Sequence, residues 1–177
     1  MFLTEFFGLF SLSAFSMWGF LMAFFFNAFV YSLNTKRNST LFVSSFVMMV
    51  SYTISDYFLT WLSIRTANYL DWALYDLATI AVLFIAYYFI KKTSSSFLYL
   101  IVGLTINSLL FLLMYIDVFL LNNRTAWIFW DIYTFTINVV DFIMIIALIV
   151  DRDFLGLHTL KNKLISLFKT SELNQIQ

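Results

Sequence analysis

Residues 127–150 read WIFWDIYTFTINVVDFIMIIALIV, and Asp151, Arg152 and Asp153 follow at once. A helix rises about 1.5 Å per residue, so about 20 apolar residues cross the roughly 30 Å hydrocarbon core of a bilayer. This stretch has the length, the composition and the abrupt charged end of a transmembrane helix. Within it Asp131, Thr134, Asn138 and Asp141 recur at spacings of three and four, which puts them on one helical face.

Four stretches of the same kind come before it: Phe6–Leu33, Leu41–Ile64, Tyr69–Ile90 and Phe97–Leu121. Short polar breaks separate them. The second is the most polar, with Ser44, Ser45, Ser51, Thr53, Ser55 and Asp56, and it needs neighbours to cover those groups. Composition agrees with this reading. Of 177 residues, 62% are hydrophobic and only 11% are charged, against about a quarter charged in soluble domains. A soluble fold of this size leaves too much surface exposed to hide so much Phe, Leu and Ile. The absence of Pro and the presence of only four Gly predict straight helices. With no Cys there are no disulfides and no thiolate metal sites. Met1 to Glu5 carry no Lys or Arg, and the apolar run after them exceeds an h-region, so no removable leader is expected.

The expected architecture is all-α. Residues 1–151 make a polytopic membrane bundle of about five transmembrane helices, and residues 152–177 make a basic amphipathic tail. Alternation of five helices puts Lys36, Arg37, Lys91, Lys92, Arg152, Lys161, Lys163 and Lys169 on one side, and only Arg65 and Arg124 on the other. Cations favour the cytoplasmic side. The expected orientation in a cell (inner) membrane is therefore N-terminus outside and C-terminus inside. Dropping any one of the second to fifth helices scatters the cations to both sides. A short repeat sets Asp56-Tyr57-Phe58-Leu59, Arg65-Thr66-Ala67 and Trp72 beside Asp117-Val118-Phe119-Leu120, Arg124-Thr125-Ala126 and Trp130. Parallel repeats of hairpins occur in transporters, and hairpin tips that simply favour Asp, Arg and Trp would look the same.

Polar residues at membrane depth carry the functional signal, because an Asp at mid-helix costs about 2.5–3.5 kcal/mol on insertion scales. Asp141 is the deepest, and no basic residue is expected at its level. Asp76 and Thr79 on the third helix and Asn107 on the fourth fall at comparable depth, so one buried polar cluster is expected. It reads either as a proton or cation pathway or as interhelical glue. Asp56, Asp71, Asp117 and Asp131 fall near Arg65 and Arg124 at the outer ends, where ion pairs fix helix ends and contribute little individually.

On the first helix Ser16, Gly19, Ala23 and Asn27 form a small-residue stripe that admits a close neighbour, from the same chain or another subunit. Phe10, Phe15, Phe20, Phe24, Phe25, Phe26 and Phe29 around it read as lipid-facing. Several of Trp18, Trp61, Trp72, Trp127 and Trp130 fall at expected outer interfaces. In the tail, Leu157, Leu160, Leu164 and Phe168 recur at helical spacing while Lys161, Lys163 and Lys169 take other faces. That pattern suits a helix lying on the anionic inner leaflet, and it also offers a docking handle for a cytosolic partner. His158 reads as a surface residue.

Catalytic signatures are absent. One His cannot make a His-Glu-x-x-His zinc site or a haem pair, no Gly-rich phosphate loop occurs, and no His stands beside a membrane-embedded Ser. No enzyme, metal, cofactor or nucleic-acid partner is expected. Two functions remain. The first is a non-catalytic membrane subunit, homo-oligomeric, that anchors or relays to a cytosolic partner. A bacterial stress or phage-defence system would suit it, though no residue shows this. The alternative is a proton- or cation-conducting channel or small transporter built on the Asp/Asn stripe.

Overall fold

The computed structural model describes residues 12–33, 38–55, 68–91, 94–125 and 127–174, without the side chains of 12–14, 68, 164 and 167–174. The chain is all-helical, with no strand among the described residues. Helix α1 spans Leu12–Ser32, α2 Ser39–Ile54, α3 Asn68–Ile90 and α4 Ser95–Tyr115. A π-helical turn, Ile116–Leu120, continues α4; α5 spans Ile128–Val150 and α6 spans Leu157–Asn174.

Four helical stretches, Phe15–Ser32, Tyr69–Ile90, Ser95–Leu120 and Ile128–Val150, are long and apolar enough to cross a membrane. The described part of α2 has 16 residues, about 24 Å at 1.5 Å each. Its expected continuation to Ile64, with Asp56, Arg65 and the first copy of the repeat as far as Ala67, lies outside the described residues.

Local chemistry sets the ends. Asn38 is extended ahead of α2, and its side chain accepts the Leu41 N–H at 3.4 Å, an N-cap. Lys91 and Asp151 close α3 and α5 in the left-handed conformation, returning their N–H groups to Tyr87 and Ala147 at 2.8 and 2.9 Å.

The first five helices pack in a closed ring in which each touches the next and α5 returns to α1. Asn27 Nδ2 donates to the Leu148 carbonyl at 3.0 Å, and a Cβ on Gly19 would collide with Ile145. The small-residue stripe of α1 therefore seats α5 of the same chain, and the two helices run parallel. Gly103 does the same between α4 and α5, where an added Cβ would come within 2.5 Å of Met144 Sδ. Lys91 and Arg152 sit at one end of the ring and Arg124 at the other, and all three are exposed.

Packing divides the ring in two along its axis. Toward the end where α5 meets α6, Met48, Leu83, Leu100, Leu104, Met144 and Leu148 form a solid apolar core. Phe20 belongs to it, fully buried, with its ring centroid 4.2 Å from that of Tyr52. The lipid-facing assignment of Phe20 is thus corrected: it lies on the stripe side of α1, while Phe15, Phe25, Phe26 and Phe29 face outward. Phe24 is half-buried, and Phe10 lies outside the described residues. The outer surface is rich in large apolar side chains such as Phe84, Leu109, Phe135 and Phe142, while several carboxyls, amides and hydroxyls are buried. That distribution suits lipid as the solvent.

Candidate functional site

The other half of the ring, toward the end where α4 meets α5, is hollow. Among the described residues a cavity of about 450 Å³ lies there, and all five helices of the ring line it. Ser16 comes from α1, Ser51 and Tyr52 from α2, Tyr75 and Asp76 from α3, Asn107 from α4, and Thr134, Asn138 and Asp141 from α5. Among the described residues of the lining there is no Lys, Arg or His.

The floor is polar. Asp141 is 5% exposed, and its Oδ1 accepts two hydrogen bonds. The Tyr52 hydroxyl donates at 2.6 Å and Asn107 Nδ2 at 2.8 Å. Tilted ring packing against Phe20 holds the Tyr52 ring in place. Asp76 is 9% exposed and Asn107 1%. Each leaves one buried oxygen, Oδ2 of Asp76 and Oδ1 of Asn107, with no hydrogen-bond partner among the described residues. Unpaired buried acceptors are unfavourable and call for a donor. Beside them the Ser51 and Thr79 hydroxyls join α2 to α3 at 2.7 Å.

The wall above the floor is aromatic. Trp72 stands one turn from Asp76 and Phe111 one turn from Asn107, while Tyr133 stands two turns from Asp141. Their rings form a closed circuit with Tyr69. Trp72 lies 5.3 Å from Phe111, Phe111 6.0 Å from Tyr133, Tyr133 6.0 Å from Tyr69, and Tyr69 6.0 Å from Trp72. Three of these four rings line the cavity.

The stripe read from α5 divides. Thr134, Asn138 and Asp141 line the cavity, whereas Asp131 does not. Thr134 and Asn138 also bond back along their own helix, to the Trp130 and Thr134 carbonyls at 2.9 and 2.6 Å. At the helix tips Asp71 and Arg124 are exposed. Asp117 is buried in the π turn and accepts the indole N–H groups of Trp127 and Trp130 at 3.1 and 2.9 Å, together with Asn123 Nδ2. Sequence reasoning did not single out Tyr52, Tyr75 or the aromatic circuit. The spacing Ser44, Met48, Ser51, Tyr52, Ser55 along α2 was the available signal.

A second polar cluster ties the tail to the ring. Asp151 Oδ1 accepts from the Ser94 and Ser96 hydroxyls at 2.6 and 3.0 Å. The Tyr99 hydroxyl donates to Asp153 at 2.7 Å and accepts the Leu155 N–H at 2.8 Å. Asp153 Oδ2 takes the His158 N–H at 3.1 Å, and the donation from Tyr99 holds the Asp153 carboxyl below its ordinary range. Beyond this joint α6 packs on α4. Leu160, Lys161 and Lys163 are exposed and Leu157 is half-buried, while the side chains of Leu164 and Phe168 lie outside the described set. Among the described residues no group of His, Cys, Asp and Glu is arranged to hold a metal ion. Comparison with protein-family models, with curated proteins and with solved structures finds no match for this chain.

Proposed function

We propose that this chain is a non-catalytic membrane carrier or receptor that takes a small cationic solute into the hollow half of its helical ring. The observation that carries this reading is the pairing of Asp76 and Asp141 in one cavity with no basic residue among the described residues that line it. A buried carboxyl without a fixed counter-charge needs a proton or a cation, and intramembrane acids mark such pathways. The geometry favours the transporter alternative of the sequence reading over the scaffold, and a gated carrier over an open channel. Below the floor, the apolar core around Leu100, Leu104 and Met144 blocks a continuous path, so passage requires the ring to rearrange.

In this proposal α2 is the fifth span, because it completes the ring, and the hollow half faces outward under the positive-inside orientation. The tail helix α6 lies on the inner leaflet, where its Lys residues meet anionic lipid. The joint at Asp151 and Asp153 supports a subsidiary role for α6 as a rigid handle for a cytosolic partner, since it is fastened to α4 rather than tethered. Association of the chain with copies of itself is part of the same proposal. Flux in reconstituted vesicles tests it. Cation or proton uptake is expected from the parent chain and should vanish in Asp141→Asn protein that still assembles. Absence of uptake at every voltage and pH tested, together with no solute binding, would remove the reading.

A further inference from the structure

We infer that the solute is a small organic amine whose ammonium head sits on the floor of the cavity and whose apolar body lies against the aromatic wall. This rests on the proposed cation-binding role and specifies the ligand class. Three features of the cavity carry it beyond an inorganic ion or a proton.

The first is the set of unsatisfied acceptors. Oδ2 of Asp76 and Oδ1 of Asn107 are buried and have no partner among the described residues, and both residues line the cavity. With the carboxyl of Asp141, bonded to that same Asn107, they offer acceptors from three helices. An alkylammonium has up to three N–H donors and no acceptor, which complements such a floor. The second is the wall. The rings of Trp72, Phe111 and Tyr133 begin about one helical turn above the floor and close a circuit through Tyr69. Aromatic faces attract ammonium groups and bury apolar carbon. A bare proton or alkali ion has no apolar body to bury against such a wall. The third is volume. At about 450 Å³ the cavity falls within the range of sites for small organic molecules and far exceeds what one ion requires.

The floor and the wall thus define a ligand with one charged end and one apolar end.

The test uses the full chain in lipid nanodiscs and a series of primary arylalkylamines from benzylamine to 4-phenylbutylamine, followed by calorimetry. 3-Phenylpropanol serves as a neutral body and potassium as a bodiless cation. At least one amine should bind saturably and 3-phenylpropanol should not. Asp141→Asn and Asp76→Asn should each weaken that amine about thirtyfold or more. Trp72→Leu should weaken it about three- to tenfold. Equal binding of 3-phenylpropanol, or indifference to both Asp substitutions, overturns the inference. Asp-dependent potassium or proton flux with no amine binding also overturns it while leaving the cation-handling role standing. Neither flux nor binding removes both.

Discussion

The Tyr52 hydroxyl donates to Asp141 at 2.6 Å across 89 residues of sequence. This bond joins the most polar helix of the ring to the deepest acid, and it forms only because α5 folds back to complete the circle begun by α1 and α2. It also leaves Asp141 with a donor on each side, Tyr52 and Asn107.

Removing the Tyr52 hydroxyl takes a partner from a buried carboxyl, so Tyr52→Phe should destabilise the chain by about 1–3 kcal/mol. Thermal unfolding in detergent should show a midpoint lower by about 2–4 °C per kcal/mol. Combined with Asp141→Leu, which removes the acceptor, the loss should be less than additive, because the two groups share one bond. Strict additivity would mean that the bond does not form.

Gly103→Ala drives a Cβ against Met144 Sδ and Cγ, at 2.5 and 2.6 Å. Overpacking of this kind costs about 1–3 kcal/mol. Met144→Ala on its own empties a fully buried site, and the double variant Gly103→Ala/Met144→Ala should lose less than the sum of the two single changes. At Gly19 the obstructing atom is the mobile tip of Ile145, so Gly19→Ala should cost less. Unfolding midpoints of the five proteins, parent included, decide the order.

The tail joint should respond to acid. Hydrogen bonding from Tyr99 and from the start of α6 holds the Asp153 carboxyl below its ordinary value of 3.8. A carboxyl whose proton affinity falls on folding adds stability above its unfolded value, and that stability is lost as pH drops through the folded one. Amide exchange at Leu155 and His158 should therefore rise below about pH 4, and Asp153→Asn should abolish that step. A step that persists in the variant would assign it to another group.

Because the chain has no Cys, topology is open to single-cysteine labelling. A Cys at Asn68 or Asn123 should react with an impermeant reagent from outside, whereas one at Ser95 should not. The opposite pattern would invert the orientation and move the cavity to the cytoplasmic half.

Hydropathy made the helices legible. The third, fourth and fifth stretches match α3, α4 with its π turn, and α5 to within two residues at each end, since twenty apolar residues admit few other structures in lipid. Asp76, Asn107 and Asp141 were legible as a group because periodicity fixes depth along a helix. Which helix faces which was not. Phe20 reads like every other Phe on α1, and an apolar residue in a membrane helix carries no mark that separates core from lipid. Tyr52 was missed for a related reason: an amphipathic ring is common near interfaces, so its type does not announce a buried partner. Ser94, Ser95 and Ser96 read as a polar break, and only the left-handed turn at Asp151 shows that two of them clasp the end of α5.

A ring that holds a polar cavity and turns an apolar face to lipid must differ in thiol reactivity between its two sides. Asn138 lines the cavity, while Phe135, less than one turn away on the same helix, is 57% exposed on the outer surface. A single Cys replacing Asn138 should react readily with a small cationic methanethiosulfonate in sealed vesicles, because thiolate formation requires water. A Cys replacing Phe135 should stay unmodified in the bilayer. Equal rates at the two positions, or faster modification at position 135, would contradict the account.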